Sequence, residues 1–281
     1  MLKQRLLTAA ILMPIFIAAL FLMDTLSFAL FLLVILVFSL FEWANLSAIK
    51  SSFTRVVYIA AGVAIVVTIQ YYELAGRELF IFVFALWLVV IVRLFRFGHK
   101  ENGSQSPSGN GRLAWLDGYF VLLPTILGLE ILKAQDIDAP QLLLVFFFII
   151  WSADTGAYLA GRTLGKHKLA PRISPGKTIE GLIGGLVGAL TIAAIVGLQV
   201  WGLPIEKLIY WLLAVVFITL FSLAGDLFES IYKRRAGVKD SGKLLPGHGG
   251  LLDRIDSACA ALPPYILLLY QFDFLASGIS T

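Results

Sequence analysis

The sequence predicts an all-α, polytopic integral membrane protein with about nine transmembrane helices and a cytoplasmic N-terminus. The composition, the spacing of the apolar runs and the placement of the basic residues support this fold class. Of the 281 residues, 59% are hydrophobic and 14% are charged, and the mean hydropathy is +0.89. A soluble domain carries about 25% charged residues. The composition therefore excludes an ordinary soluble domain and indicates a membrane protein.

Nine apolar runs follow one another along the chain, and polar segments separate them. A membrane-spanning helix needs about 20 mostly apolar residues, and only the second and third runs are short. We expect all nine runs to cross the membrane. Their approximate ranges are 6–23, 26–41, 56–72, 79–95, 114–132, 140–160, 178–201, 208–228 and 257–276.

The first run has two interpretations. Lys3 and Arg5 precede it, as in a signal peptide, and Ser27 and Ala29 offer the small side chains of a cleavage site. The apolar region of a signal peptide is typically about 7–15 residues long, whereas 6–23 is longer and leads directly into more apolar sequence. Retention as a signal-anchor helix is therefore favoured over cleavage.

A Gly-, Ser- and Asn-rich segment at 102–110 has the composition of a flexible linker. It divides the chain into an N-terminal part, 1–112, and a C-terminal part, 113–281. The C-terminal part contains the candidate catalytic residues. Its fifth run also holds Asp117 and Glu130, two isolated acids to which the sequence assigns no role.

The basic residues set the expected orientation. Alternate connecting segments carry 19 of the 22 Lys and Arg residues, and the remaining segments carry three. Cytoplasmic loops are enriched in Lys and Arg, so the N-terminus is expected to be cytoplasmic. This orientation brings the ends of the sixth and eighth runs and the start of the ninth to the cytoplasmic face. Asp154, Asp226 and Asp256 are then expected at one membrane surface.

The loop before the seventh run is basic and ends in Gly176-Lys177-Thr178. These three residues resemble the end of a phosphate-binding P-loop, but that motif needs glycine where this chain has Pro171. We also expect no β-strand before the helix, so the P-loop interpretation is rejected. A helix N-terminus beside basic residues still favours a bound phosphate, and ordinary enrichment of cytoplasmic loops in basic residues is the alternative explanation.

Glycines within the seventh run and prolines within the ninth have structural interpretations. The pairs Gly181/Gly185 and Gly184/Gly188 are spaced for close helix packing. Pro263-Pro264 is expected to kink or interrupt the ninth helix.

Carboxylates meet basic residues at the end of the eighth run and the start of the ninth. Asp226, Glu229 and Lys233 lie on one helical face, and Asp253 and Asp256 are likewise three residues apart. Mg²⁺ takes one or two carboxylates together with water and phosphate oxygens. These aspartates therefore predict a site for one or two Mg²⁺ ions, and interfacial ion pairs are the alternative.

The segment 230–256 contains six Lys or Arg residues, three Asp, one His and five Gly. Glycines allow backbone amides to approach phosphate oxygens, although they also suit an ordinary surface loop. His248 is either a phosphate donor or a structural residue, and its role stays open.

This segment resembles the signature of the phosphatidate cytidylyltransferases, or CDP-diacylglycerol synthases, over 27 consecutive positions. The matching positions are Ser230-x2-Lys233-Arg234-x4-Lys239-Asp240-x-Gly242-x2-Leu245-Pro246-x-His248-Gly249-Gly250-Leu251-x-Asp253-Arg254-Ile255-Asp256. Weaker similarity extends upstream through Trp151, Asp154, Tyr158, Arg162 and Ser174 to Gly181. Tyr232 and Gly176 depart from the expected pattern, and Gly176 stands where many members have a basic residue.

The resemblance implies a multi-pass enzyme of the cell inner membrane, a homodimer without a nucleic-acid partner. It would convert CTP and phosphatidate to CDP-diacylglycerol and diphosphate with Mg²⁺, and K⁺ would share the metal site. Catalytic roles are expected for Asp226, Lys233, Asp253 and Asp256, with the three aspartates as metal ligands. Substrate binding is expected for Arg234, Lys239, Asp240, His248, Arg254, Lys177 and Asp154.

Two alternatives remain. The same chemistry on another lipid phosphate, either ether-linked or isoprenoid, is compatible with the sequence. A transporter of an anionic solute is less favoured, because transporter sites usually lie near the membrane midplane and these acids gather towards one face.

Overall fold

The computed structural model describes residues 13–99, 114–134, 139–245, 247 and 249–271. Within these residues the chain forms nine α-helical segments and one short β-hairpin. The elements are α1 (Met13–Leu22), α2 (Thr25–Leu46), α3 (Ser52–Tyr71), α4 (Arg77–His99), α5 (Ala114–Lys133), α6 (Ala139–Thr163), β1 (Lys168–Ala170), β2 (Ser174–Thr178), α7 (Ile179–Ile195), α8 (Ile205–Arg235) and α9 (Leu252–Gln271). A single π-helical turn, Val196–Val200, continues α7.

Six of these helices are long and apolar enough to cross a membrane: α2, α3, α5, α6, α7 with its π turn, and α8. The helical, membrane-embedded fold class is thereby confirmed. The count of nine spans and the cytoplasmic N-terminus stay predictions. Lys3, Arg5 and the 102–110 linker lie outside the described residues.

The glycines of α7 pack against α6, as their spacing predicts. A β-carbon on Gly156 of α6 would lie 2.3 Å from the carbonyl oxygen of Gly184. One on Gly188 would lie 2.5 Å from the carbonyl oxygen of Ser152. Only glycine leaves room for backbones this close, so these residues fix α6 and α7 side by side.

The segment before α7 differs from the predicted loop. Residues of β1 and β2 pair antiparallel, with Lys168 opposite Thr178 and Ala170 opposite Ser174. The expectation that no strand precedes the seventh helix was therefore wrong. Thr178 ends β2 and caps α7, because its hydroxyl accepts a hydrogen bond from the Gly181 amide at 3.0 Å.

Helix α9 begins at Leu252, five residues earlier than predicted, and continues through Pro263-Pro264. Of the kink or interruption expected at the two prolines, the interruption does not occur. The early start places Asp253 in the first turn of a helix.

Aromatic side chains join the N-terminal helices to α8. Trp43 of α2 lies 4.8 Å from Tyr232, and Trp87 of α4 lies 5.5 Å from Phe228, measured between ring centroids. Tyr232 also donates a hydrogen bond to Asp117 of α5, and Gln70 of α3 donates one to Glu130. The two acids that the sequence left without a role therefore hold helices together.

Candidate active site

The last turns of α8 present acidic and basic side chains in the predicted helical spacing. The Ser230 hydroxyl donates to Asp226 Oδ1 at 3.2 Å. Lys233 Nζ donates to Glu229 Oε2 at 2.6 Å, and both of these side chains are almost fully buried. Because α8 continues to Arg235, all four residues sit on one continuous helix.

The β-hairpin brings a second lysine to α8. Lys177 Nζ of β2 lies 2.8 Å from Asp226 Oδ2. The side chains are 22% and 32% exposed respectively, so solvent reaches this ion pair. Lys177 was predicted from its place near a helix N-terminus, and the strand rather than the helix positions it.

Lys233 connects α8 to the start of α9. Its ammonium also donates to Asp253 Oδ1 at 2.7 Å. The other oxygen of Asp253 accepts hydrogen bonds from the amides of Ser241 and Gly250 at 2.9 and 2.8 Å. Protein donors therefore engage both oxygens of Asp253, and its side chain is only 8% exposed.

Asp154, Asp226 and Asp256 come from three different helices and are close enough to interact electrostatically. Asp256 is buried, and its Oδ1 accepts a hydrogen bond from the Ser257 amide at 2.6 Å. Glu229 is its near neighbour on α8. Within the described part of the chain, the buried Glu229 Oε1 accepts no hydrogen bond. The structure thus collects an acidic cluster where α6, α8 and α9 meet.

A cavity of about 360 Å³ opens beside this cluster, between α6, α7, α8 and the hairpin. Asp154, Lys177 and Asp226 supply charge to its wall, and Tyr158 and Thr178 add hydroxyl groups. Cationic and anionic groups therefore face a space that is open to a ligand.

The remaining predicted residues that the structure describes are not among those lining this cavity. Arg234 is exposed and directs its guanidinium to the carbonyl oxygens of Ile173 and Val238, at 3.4 and 3.2 Å. Lys239 and Asp240 are exposed on the segment between α8 and α9. Arg254 is exposed and interacts electrostatically with Asp154. His248 lies outside the described residues.

Among the residues that the structure describes, no group of three or more His, Cys, Asp or Glu side chains is arranged to hold a metal ion. Asp226, Asp253 and Asp256 are therefore not gathered around a single point. The acidic cluster nevertheless fits a divalent cation held by one or two carboxylates, water and phosphate oxygens. Among the described residues, three cationic side chains, Lys177, Lys233 and Arg254, interact with its carboxyl groups, and the buried Glu229 Oε1 has no hydrogen-bond donor. The carboxyl groups are those of Asp154, Asp226, Glu229, Asp253 and Asp256.

Glu42 of α2 also reaches this region, although it was not among the residues predicted for the site. Its carboxylate lies at the segment between α8 and α9, where it accepts hydrogen bonds from Ser241, Leu251 and Leu252. A single acid inside an apolar run indicates a functional residue, so this pattern in the sequence could have identified Glu42. The predicted span ended at residue 41 and so placed Glu42 in a loop.

Comparison with known proteins gives consistent matches. The sequence model described as "Cytidylyltransferase family" matches residues 3–272. The phosphatidate cytidylyltransferase of Pseudomonas aeruginosa is 40% identical over 273 residues, which cover 96% of this chain and 97% of that protein. The one from Haemophilus influenzae is 37% identical over 285 residues, covering 94% and 96%. The one from Bacillus subtilis is 45% identical over 160 residues, covering 55% and 59%.

Proposed function

The chain belongs to the cytidylyltransferase family, and from this premise we propose that it transfers a cytidylyl group from CTP to phosphatidate. The products are CDP-diacylglycerol and diphosphate, and the reaction serves phospholipid biosynthesis. The observation that carries this proposal is the 40% identity to a phosphatidate cytidylyltransferase over 97% of that protein's length. The cavity supports it, because anionic phosphates require cationic groups such as Lys177 beside the acidic cluster.

The reaction replaces one phosphoanhydride bond by another. An oxygen of the phosphatidate phosphate attacks the α-phosphorus of CTP, and the bond from the α-phosphorus to the leaving diphosphate breaks. Such transfers depend mainly on positioning and charge neutralisation. A phosphate nucleophile is already ionised near neutral pH, so the reaction needs no general base.

The two lysines have different environments and are proposed to act differently. Lys177 lines the cavity in a partly exposed ion pair, so it can exchange Asp226 for a phosphate oxygen. Lys233 is buried and contacts Glu229 and Asp253 together. Lys233 therefore fixes the end of α8 relative to the start of α9 and keeps positive charge next to the reacting phosphates.

We propose that the enzyme depends on Mg²⁺, with K⁺ sharing the site. Asp226 and Asp256, with Asp154 beside them, would hold the ion, since their carboxyl groups come from three helices to within electrostatic reach of one another. When bound, the metal would neutralise charge on the phosphates. Asp253 is proposed to support the site from its fixed position beside Lys233.

The protein is a membrane protein with several apolar helices, and its finer placement is part of the proposal. We propose the cell inner membrane, with nine spans and the acidic cluster at the cytoplasmic surface, because CTP is cytosolic and phosphatidate presents its phosphate at the membrane interface. The distribution of Lys and Arg residues supports this orientation. A homodimer is proposed from the family resemblance alone.

The activity is tested with the purified protein in detergent–lipid micelles, given cytidine-labelled CTP, Mg²⁺ and phosphatidate. We expect lipid-extractable label and an equal amount of diphosphate, with activity lost on adding EDTA and restored by Mg²⁺. Ether-linked and isoprenoid phosphates serve as competing substrates. Failure to label phosphatidate contradicts the proposal, and faster labelling of another lipid phosphate reassigns the substrate.

Asp226→Asn tests the acidic cluster in the same assay. It removes one charge from the cavity wall and should leave less than about a tenth of the activity, equivalent to about 1.4 kcal/mol of barrier. Glu206→Gln, on an exposed position at the other end of α8, is the matched control and should retain full activity. Activity of Asp226→Asn above that level removes Asp226 from the proposed metal site.

A further inference from the structure

Glu42 is a buried acid on α2. It lies in the N-terminal part of the chain, outside the region in which catalytic residues were predicted. Its side chain is almost completely buried, with 4% of the residue exposed. A charged side chain inside a membrane-spanning helix is costly unless it is paired or hydrogen-bonded. Glu42 meets this requirement through contacts with residues about 200 positions later in the chain.

Both oxygens of Glu42 accept hydrogen bonds at the start of α9. Oε1 accepts from the Leu251 amide at 3.0 Å, and Oε2 accepts from the Leu252 amide at 2.9 Å. The first amides of a helix lack partners within the helix, and its N-terminus carries partial positive charge. A carboxylate from α2 thus caps the helix whose first turn contains Asp253.

Two glycines of the signature segment make room for this carboxylate. A β-carbon on Gly242 would lie 2.3 Å from Glu42 Oε1, and one on Gly250 would lie 2.3 Å from Glu42 Oε2. Any larger residue at either position would push the Glu42 carboxylate away from its amide donors. Gly242 and Gly250 therefore leave space for the Glu42 carboxylate, which is a different role from letting backbone amides approach a phosphate.

Ser241 links Glu42 to Asp253. Its hydroxyl lies 2.9 Å from Glu42 Oε2 and 3.0 Å from Asp253 Oδ2, while its amide donates to the same Asp253 oxygen. Asp253 in turn holds Lys233. A continuous set of hydrogen bonds therefore runs from α2 through Ser241 to the acidic and basic residues at the ends of α8 and α9.

We propose that Glu42 is a positioning residue for cytidylyl transfer, acting through Ser241 and the start of α9 to hold Asp253 and Lys233 in place. This inference rests on the proposed function, because it assigns Glu42 to the same reaction. Glu42 is not among the described residues that line the cavity beside the acidic cluster, and neither are its hydrogen-bond partners Ser241, Leu251 and Leu252. Its effect is therefore on the arrangement of the groups that neutralise the reacting phosphates.

The first test is Glu42→Gln. A Gln amide offers one acceptor oxygen, so it satisfies only one of the two backbone amides and points its NH₂ group at the other. We expect kcat to fall at least tenfold while KM for CTP changes less than threefold, since the misplaced groups act mainly on the transition state. Glu130→Gln is the matched control: it alters a half-buried acid whose hydrogen bond comes from Gln70 on α3, and kcat should stay at the wild-type value.

A second measurement separates positioning from activity. Hydrogen–deuterium exchange of the full-length protein in micelles should show faster exchange at 250–252 in Glu42→Gln and no change there in Glu130→Gln. Wild-type kcat in Glu42→Gln, or undiminished protection of these amides, overturns the inference. Inactive wild-type protein refutes the proposed function instead, and the exchange measurement still decides whether Glu42 holds the segment.

Ser241→Ala covers the case in which Glu42→Gln does not fold. It removes the shared hydroxyl but keeps the Ser241 amide bond to Asp253 and the amide bonds to Glu42. We expect kcat to fall at least threefold, with the unfolding temperature close to that of the wild type. A wild-type kcat in Ser241→Ala overturns the proposed path from Glu42 to Asp253.

Discussion

Two regions around the acidic cluster hold their carboxylates in opposite ways. On the open side, formed by β2 and the cavity-facing residues of α8, Asp226 forms an ion pair with Lys177, accepts a hydrogen bond from the Ser230 hydroxyl and remains 32% exposed. On the closed side, formed by Glu42, Lys233, Ser241 and residues 249–253, carboxylates accept hydrogen bonds from backbone amides and are almost fully buried. Both sides contain a Lys–Asp pair at about the same separation, 2.8 Å for Lys177–Asp226 and 2.7 Å for Lys233–Asp253.

We infer that burial, rather than contact distance, distinguishes the groups proposed to bind substrate from those proposed to support the site. A solvent-exposed ion pair contributes little to stability, so a phosphate ligand can replace one of its partners at small cost. A buried charge that loses its partner is strongly destabilising, so the closed side is expected to keep its arrangement while the open side exchanges ligands. We infer that the open side receives the triphosphate and the closed side keeps the reacting geometry constant.

The largest effect on the free energy of unfolding is expected for Lys233→Met. It leaves Glu229 and Asp253 buried without their shared cation, which should reduce the free energy of unfolding by about 3–5 kcal/mol. The measurement is denaturant unfolding in micelles, with Lys207→Met, at an exposed position on the same helix, as control. Equal stability of the two variants would show that the closed side is not fixed by charge.

Lys177→Met should affect binding much more than stability. Its ion pair is partly exposed, so the free energy of unfolding should change by less than about 1 kcal/mol. KM for CTP should rise at least tenfold, because the cavity wall loses its lysine. Lys168→Met, on the paired strand β1, is the control for the hairpin. A large stability loss with unchanged KM would make Lys177 a structural residue like Lys233.

The smallest effect on the free energy of unfolding is expected for Gly176→Ala. Apart from Gly176 itself and its two chain neighbours, no described residue has an atom within 4 Å of an added β-carbon at Gly176, so the free energy of unfolding should change by no more than about 0.5 kcal/mol. Gly250→Ala makes the matched change on the closed side, where the β-carbon would meet Ser241 Oγ at 2.1 Å. Overpacking of this kind typically costs about 1–3 kcal/mol. Equal unfolding midpoints for the two variants would remove the distinction between the sides.

Several parts of the site were predictable from local sequence patterns. The i, i+3 and i+4 spacing of Asp226, Glu229 and Lys233 led to their placement on one face, because a continuous helix fixes that geometry. The glycine spacing of α7 correctly indicated close packing, since a glycine stripe permits few alternatives. The hairpin was missed because its two strands are three and five residues long and the second contains Pro and Gly, which argue against a strand.

The sequence by itself determined the membrane-embedded helical class, the family resemblance and the residue types available for phosphate chemistry. These properties depend on composition and on spacing within a single helix or segment, and such local features can be identified without knowledge of the fold. Only the tertiary structure decided which acids meet, which lysine is buried and that Glu42 caps α9. Those outcomes depend on how distant helices pack, and a hydrogen bond between residues 42 and 252 leaves no periodic trace in the chain.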